Sequence, residues 1–176
     1  MRGHSRLLVV LEGLPSMVSP LILFMHRALA GQTAVKASVR VHPQCPYSLE
    51  RLLHEAAFSL KGHPTLAPSR HAHLLDDFEE ADLVVYKGST AAIEAGYLGI
   101  PLIHVRTPDL ITDDPLFEVS ALKRVVRQPD ELLPAVADLA RLTPDQLIVS
   151  VTVFRDYVDD YFAAPTEDAM AAFMPS

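Results

Sequence analysis

ADLVVYKGSTAAIEAGYLGIPLIHV, residues 81–105, decides how the rest of this chain is read. Asp82 to Tyr86 is a short β-rich run built on Leu83, Val84 and Val85, and four small or polar residues, Lys87, Gly88, Ser89 and Thr90, follow it. Ala91 to Leu98 is compatible with a helix, Gly99 breaks it, and Leu102 to Val105 is a second apolar run. Strand, tight turn, helix and strand in so short a span make one βαβ unit of a parallel sheet.

The turn carries the chemistry. The first N–H groups of a helix lack intrahelical partners and form the positive end of its dipole, so an anion is favoured there. Gly88 lets a ligand approach the backbone, and Ser89 and Thr90 add hydroxyl donors; either hydroxyl can instead cap the helix. Glu94 falls one helical turn further on, roughly on the same face. A carboxylate there either accepts hydrogen bonds from a ribose diol or is a solvated helix residue.

Upstream, Leu7 to Leu11 (LLVVL) is continuously apolar, as a parallel strand covered on both faces must be. The Gly13 loop follows, and Ser16 is placed to cap a helix reaching Leu29 and closed by Gly31. Val35 to Val41 alternates like a strand and ends at His42 and Pro43; Ser48 starts a helix over Leu49 to Leu60. Thr65 to Ala67 reads as a very short strand closed by Pro68. His71 to Glu80 reads as a helix whose acids, Asp76, Asp77, Glu79 and Glu80, form a solvated face.

Downstream, Thr107 to Pro115 is a polar loop and Leu122 to Val126 a last short strand. Pro129, Asp130 and Glu131 open a helix to Leu142, and Thr143 starts another to Phe162. Along that last helix Val149, Val153, Tyr157 and Tyr161 recur at four-residue steps and are expected to dock it on the domain. The count is about six strands alternating with helices, a Rossmann-like open parallel sheet with helices on both faces. In such a sheet ligands bind where loops leave the C-terminal strand edge. The Gly13 loop, His42, Pro68, the turn at Lys87 to Thr90 and the Thr107 loop all belong to that edge.

Length and composition agree with one domain. The chain has 176 residues, 49% of them hydrophobic, and no Trp. Residues 1–6 read as a tag remnant or disordered start, 7–163 as the domain and 164–176 as a tail. A net charge of -7, with only 15 Lys and Arg, disfavours nucleic acid as a partner. The single cysteine, Cys45, excludes an internal disulfide and points to the cytoplasm. No apolar run is long enough for a membrane span, which leaves only peripheral association with a membrane. His63, His71 and His73 lack zinc-motif spacing, so no metal is assigned.

Taken together, VRVHP (Val39 to Pro43), the quoted 81–105 stretch and VVRQPDELLPAVADL (Val125 to Leu139) resemble the C-terminal, nucleotide-sugar-binding half of GT-B-fold glycosyltransferases. Bacterial surface-polysaccharide and sialyltransferase-like enzymes, and the related glycerophosphotransferases, are the nearest in pattern. The resemblance implies a nucleotide-sugar donor as substrate and no separate cofactor. It implies that His42 lies by the donor phosphate, best as imidazolium, with Gly88, Ser89 and Thr90 holding phosphate oxygens. Gly13 would keep its loop open to the diphosphate, Glu94 would bind the ribose, and backbone around Leu66, Ala67 and Pro68 would meet the base.

Two departures follow. Enzymes of this fold have two such domains, with the acceptor site and often the catalytic base on the N-terminal one. This chain is therefore expected to be a fragment or a subunit needing a partner, and its catalytic residue is unassigned. Glu94 also lacks the paired acid of retaining families, which leans towards inversion, and no DXD metal motif is evident, Asp113 and Asp114 being poor substitutes. Two other readings stand beside the transferase: a non-catalytic interaction domain using the Val149 to Tyr161 helix, and a sugar-nucleotide 2-epimerase.

Overall fold

A computed structural model describes residues 5–55, 60, 63, 65–107 and 113–163. The expected tail, the first four residues of the expected tag and the middle of the Thr107 loop lie outside the described residues.

Strands β1 (Ser5–Val10), β2 (Val35–Arg40), β3 (Leu66–Pro68), β4 (Leu83–Tyr86), β5 (Leu102–Val105) and β6 (Lys123–Val126) form one sheet. Every pairing is parallel and the order is β3-β2-β1-β4-β5-β6. This is the Rossmann-like α/β fold expected from the alternation of apolar runs and helices. β1 starts at Ser5, paired with Val35, two residues before the apolar run Leu7 to Leu11.

The helices are α1 (Pro15–Ala28), α2 (Leu49–Glu55), α3 (Leu74–Glu80), α4 (Ala91–Tyr97), α5 (Leu132–Leu139, led in by a 3₁₀ turn at Pro129–Glu131) and α6 (Pro144–Tyr161). The pleat sends Leu7, Val9, Val85 and Ile103 to one face, where they meet Leu21, Met25, Leu52 and Val136 of α1, α2 and α5. Leu8, Val10, Val84 and Tyr86 point to the other face, against Phe78, Ala92, Ala95 and Phe154 of α3, α4 and α6. Both faces of β1 and β4 are covered, which is why LLVVL and LVVY carry no polar residue.

Local differences from the sequence reading have local causes. α1 takes Pro15 at its first position and has no side-chain cap, so Ser16 sits inside the helix instead of before it. α3 starts at Leu74, not His71, because the Arg40 guanidinium binds the carbonyls of His71 and Ala72, at 3.2 and 2.8 Å, and holds them out of a helical ladder. α6 is entered by a capping box in which Thr143 and Gln146 exchange bonds of 3.2 and 2.9 Å.

The docking stripe of α6 is corrected. Its fully buried residues are Phe154 and Val158, with Leu147 and Val151 partly buried in line with them, whereas Val149, Val153 and Tyr161 are exposed and only Tyr157 packs. Steps of four drift about 40° around an α-helix at each repeat, while alternating four and three holds one face. Phe154 seats its ring on Gly96 of α4, where an added Cβ would come within 2.3 Å of it.

Candidate nucleotide-sugar site

β1 and β4 are neighbours, yet the chain leaves β1 towards β2 on one side and β4 towards β5 on the other, so the loops diverge above them. A crevice at such a switch point is where ligands of open α/β sheets bind. Here a cleft of about 170 Å³ is walled by the ends of β1 and β2 and by the start of α4. His42, Ser89, Thr90 and Glu94 all line it, over an apolar floor that includes Val10, Leu11 and Val41. These four residues, chosen from separate stretches of sequence, are brought to one place.

Each is positioned by its element. His42 opens a tight turn over Pro43, with the Cys45 N–H on its carbonyl at 2.9 Å. Its Nδ1 accepts the Gln44 N–H at 3.1 Å, which leaves Nε2 as the proton-bearing nitrogen of a neutral ring. Thr90 has helical backbone angles and its hydroxyl makes no capping bond; the first helical bonds run from Ala92 N–H to Ser89 and from Ile93 N–H to Thr90. Ser89 is buried, while Thr90 and Glu94 are exposed at the cleft mouth.

Both glycines stand where chain segments approach one another, not on the cleft wall. The Gly88 N–H donates to the Glu12 carboxylate at 3.0 Å, and a Cβ on Gly88 would lie 3.0 Å from the Asp113 carbonyl oxygen. The amide expected to meet a phosphate thus already holds a carboxylate, and the missing side chain makes room for two neighbouring loops. A Cβ on Gly13 would meet His42 Nδ1 at 3.3 Å, so Gly13 makes room for the imidazole.

The base-contact residues fall elsewhere. Leu66 is buried in the core of the first face, and Ala67 and Pro68 line a different cavity. Among the described residues, only Leu74, after the loop that follows Pro68, borders the cleft from this direction.

Sequence reasoning missed the charged scaffold beneath. Arg40 borders the cleft and pairs with Asp77 at 2.5 Å, and Asp77 also accepts the Ser69 hydroxyl at 2.6 Å. Asp77 is 3% exposed, not part of a solvated acidic face; Glu80 is engaged by Arg70 and His71. Under the Lys87 turn, Lys87 is buried against Asp113, and Asp114 accepts from Tyr86 at 2.7 Å, Lys123 at 2.8 Å and the Leu116 N–H at 2.9 Å. Burial pushes the Asp114 carboxyl up, but those bonds outweigh it and hold the pKa below the usual carboxylate range. Burial also holds the His104 imidazole below its ordinary value, against the pull of Asp114. The Tyr86 phenol is pushed far up by burial and then by Asp114, so it stays a donor.

No protein-family model matches the sequence, and no curated protein matches it in sequence. Solved structures do match in fold. The glycotransferase of kitacinnamycin superposes with a TM-score of 0.58 at 18% identity, over 92% of this chain and 41% of its own. A UDP-GlcNAc 2-epimerase from Methanocaldococcus jannaschii, in complex with UDP-GlcNAc and UDP, gives 0.56 at 16% over 80% and 39%. The wall teichoic acid polymerase TagF gives 0.55 at 12% over 99% and 45%. The chain shares their fold. It spans less than half the length of each of these three structures. Among the described residues no helix is long and apolar enough to cross a membrane, and no three His, Cys, Asp or Glu side chains cluster as metal ligands.

Proposed function

We propose that this chain is the donor-binding half of a cytoplasmic glycosyltransferase that uses a nucleotide-activated sugar, in the synthesis of a surface polysaccharide. The observation that carries the reading is the convergence of His42, Ser89, Thr90 and Glu94 on one cleft at the switch point. A donor phosphate rests between the His42 Nε2–H and the hydroxyls of Ser89 and Thr90, and the ribose diol donates to Glu94. The base extends towards Leu74, which borders the cleft on the side of the loop after Pro68. As the sugar departs, negative charge grows on the nucleotide phosphate, and fixed donors stabilise it most where water is excluded.

Size supports a half-site. Small-ligand sites commonly measure about 300–1,000 Å³, whereas this cleft is about 170 Å³. That is room for a phosphate and a ribose, with the sugar and acceptor held by an N-terminal domain or partner subunit that closes over the edge. A 2-epimerase has the same fold among the solved structures, but it needs an acid and a base facing the sugar. Glu94 is the only carboxylate bordering this cleft among the described residues, which favours transfer.

Calorimetric or NMR titration with UDP, GDP, CDP and CMP tests the reading. One nucleotide should bind, and Ser89→Ala with Thr90→Ala should weaken it about tenfold for each hydrogen bond lost to a charged oxygen. No binding of any of the four, or binding indifferent to both substitutions, would sink it.

A further inference from the structure

A second cavity, of about 510 Å³, lies on the face of the sheet that carries α3, towards the strand ends opposite the cleft. It exists because β2 breaks a rule of doubly wound sheets. An internal parallel strand is covered on both sides and is normally apolar on both, yet β2 turns Lys36, Ser38 and Arg40 to this face while Val35, Ala37 and Val39 enter the core on the other. The register sets Arg6 beside Lys36, and Ser38 beside Ala67. The same offset sets Lys36 beside Thr65, so Arg6, Lys36 and Thr65 form one row across three strands, and all three line the cavity.

The row holds donors that the described residues leave without an acceptor. Thr65 is 7% exposed, and among the described residues neither its hydroxyl nor the buried Arg6 Nε has a hydrogen-bond partner. His63, also on the wall, accepts the N–H groups of Thr65 and Leu66 at Nδ1, at 3.3 and 3.0 Å, which leaves Nε2 as a donor. The carboxylates at the rim are taken. Asp77 is held by Arg40 and Ser69, Glu80 by Arg70 and His71, and Asp82 lies 3.6 Å from an Arg6 Nη. Lys36 makes no ion pair among the described residues. Buried polar groups are nearly always partnered, and here the Thr65 hydroxyl and the Arg6 Nε–H, both able to donate, stand beside a Lys36 ammonium that has no ion pair among the described residues. A surplus of donors with a positive charge calls for a ligand of acceptor oxygens.

We propose that this cavity is a second binding site, for a small phosphate monoester whose phosphate sits on the Arg6, Lys36 and Thr65 row. Its volume suits a phosphate carrying a sugar-sized group. The Arg40–Asp77 pair stands between this cavity, which Asp77 lines, and the cleft, which Arg40 lines, so the two sites can be read separately.

The test is an amide NMR titration of the full chain with inorganic phosphate, with a hexose phosphate, and with free hexose and sodium chloride as controls. Saturable shifts at Arg6, Lys36, Ser38 and Thr65 with either phosphate, and tighter binding of the hexose phosphate, are expected. Lys36→Ala and Thr65→Val should each weaken binding about tenfold, the loss of one charge-assisted contact; Lys36 is exposed, so its variant keeps the fold. Four results overturn the proposal: no saturation by about 10 mM, the same shifts with sodium chloride at matched ionic strength, the same shifts with free hexose, or affinity unchanged in both variants. Failure of the donor reading would register at Ser89 and Glu94 instead.

Discussion

The two faces of the sheet are held by different physics. Against α1, α2 and α5 the buried cluster consists of apolar side chains alone, twelve of them from those three helices. Against α3, α4 and α6 the apolar cluster is smaller and is interrupted by Asp77, His104, Asp114, Lys123 and the Tyr86 hydroxyl, all paired or close to a partner. The first face derives its stability from area removed from water, which is insensitive to pH. The second face carries ionised groups whose burial is tolerated only while each keeps its partner. It is also the face on which the cleft and the second cavity open. The proposed sites and the internal charge share a side because the loops that shape the cleft are tied down by ion pairs, while the other face supplies the rigid support.

That contrast can be broken first at Asp114. Asp114→Ala strips the acceptor from Lys123 and Tyr86 and should cost about 3–5 kcal/mol in urea unfolding, because it leaves a buried ammonium unpaired. A loss below about 1 kcal/mol would mean that the second face is wetter than its geometry implies. On the first face, Leu21→Ala removes a side chain that is 1% exposed, for a loss of about 3 kcal/mol that should be the same at acid and neutral pH. Gly96→Ala sharpens the comparison at the one contact between α4 and α6 that tolerates no added atom. It should cost about 1–3 kcal/mol through overpacking against Phe154, seen as a lower urea midpoint.

The smallest effect is a pH slope. The His104 imidazole has its pKa lowered by burial, so below the ordinary histidine value of about 6.5 the unfolded chain takes up a proton that the folded chain resists. Stability therefore rises with pH across the window between the lowered folded value and about 6.5, and falls as pH drops through it. His104→Gln should flatten this part of the decline, leaving the share due to His63, whose pKa is also lowered by burial and by His26. Asp114 acts at lower pH: its carboxyl is held below its ordinary value, so its contribution is complete above about 4 and is lost as pH falls through the folded value. Thermal melts from about pH 8 down to about 2 should show both steps in the native sequence and only the acid one reduced by Asp114→Asn.

The legible parts of the chain were those with local causes. LLVVL and LVVY announce parallel strands because only strands covered on both sides lack polar residues. Once the sheet is known to be parallel, every strand-to-helix loop must leave by the same edge, which puts the His42 loop and the Lys87 to Thr90 turn together, while the roles of His42, Ser89, Thr90 and Glu94 follow from the family resemblance. The α6 stripe misled because four-residue steps mimic helical periodicity while slowly rotating off the face. Asp77 looked like its exposed neighbours Asp76 and Glu79, and what makes it different is Arg40, 37 positions away, together with the Ser69 hydroxyl.

What the sequence determined by itself is the order of elements and the edge on which the loops meet, since periodicity and turn chemistry act over a few residues. What the tertiary structure alone decided is which polar groups have partners: that Glu12 takes the Gly88 amide, that Lys87 and Lys123 are neutralised by adjacent aspartates, and that the Thr65 hydroxyl finds no partner among the described residues. Pairing depends on distance in space, and in a sheet whose neighbours are β1 and β4 that distance bears no relation to separation along the chain.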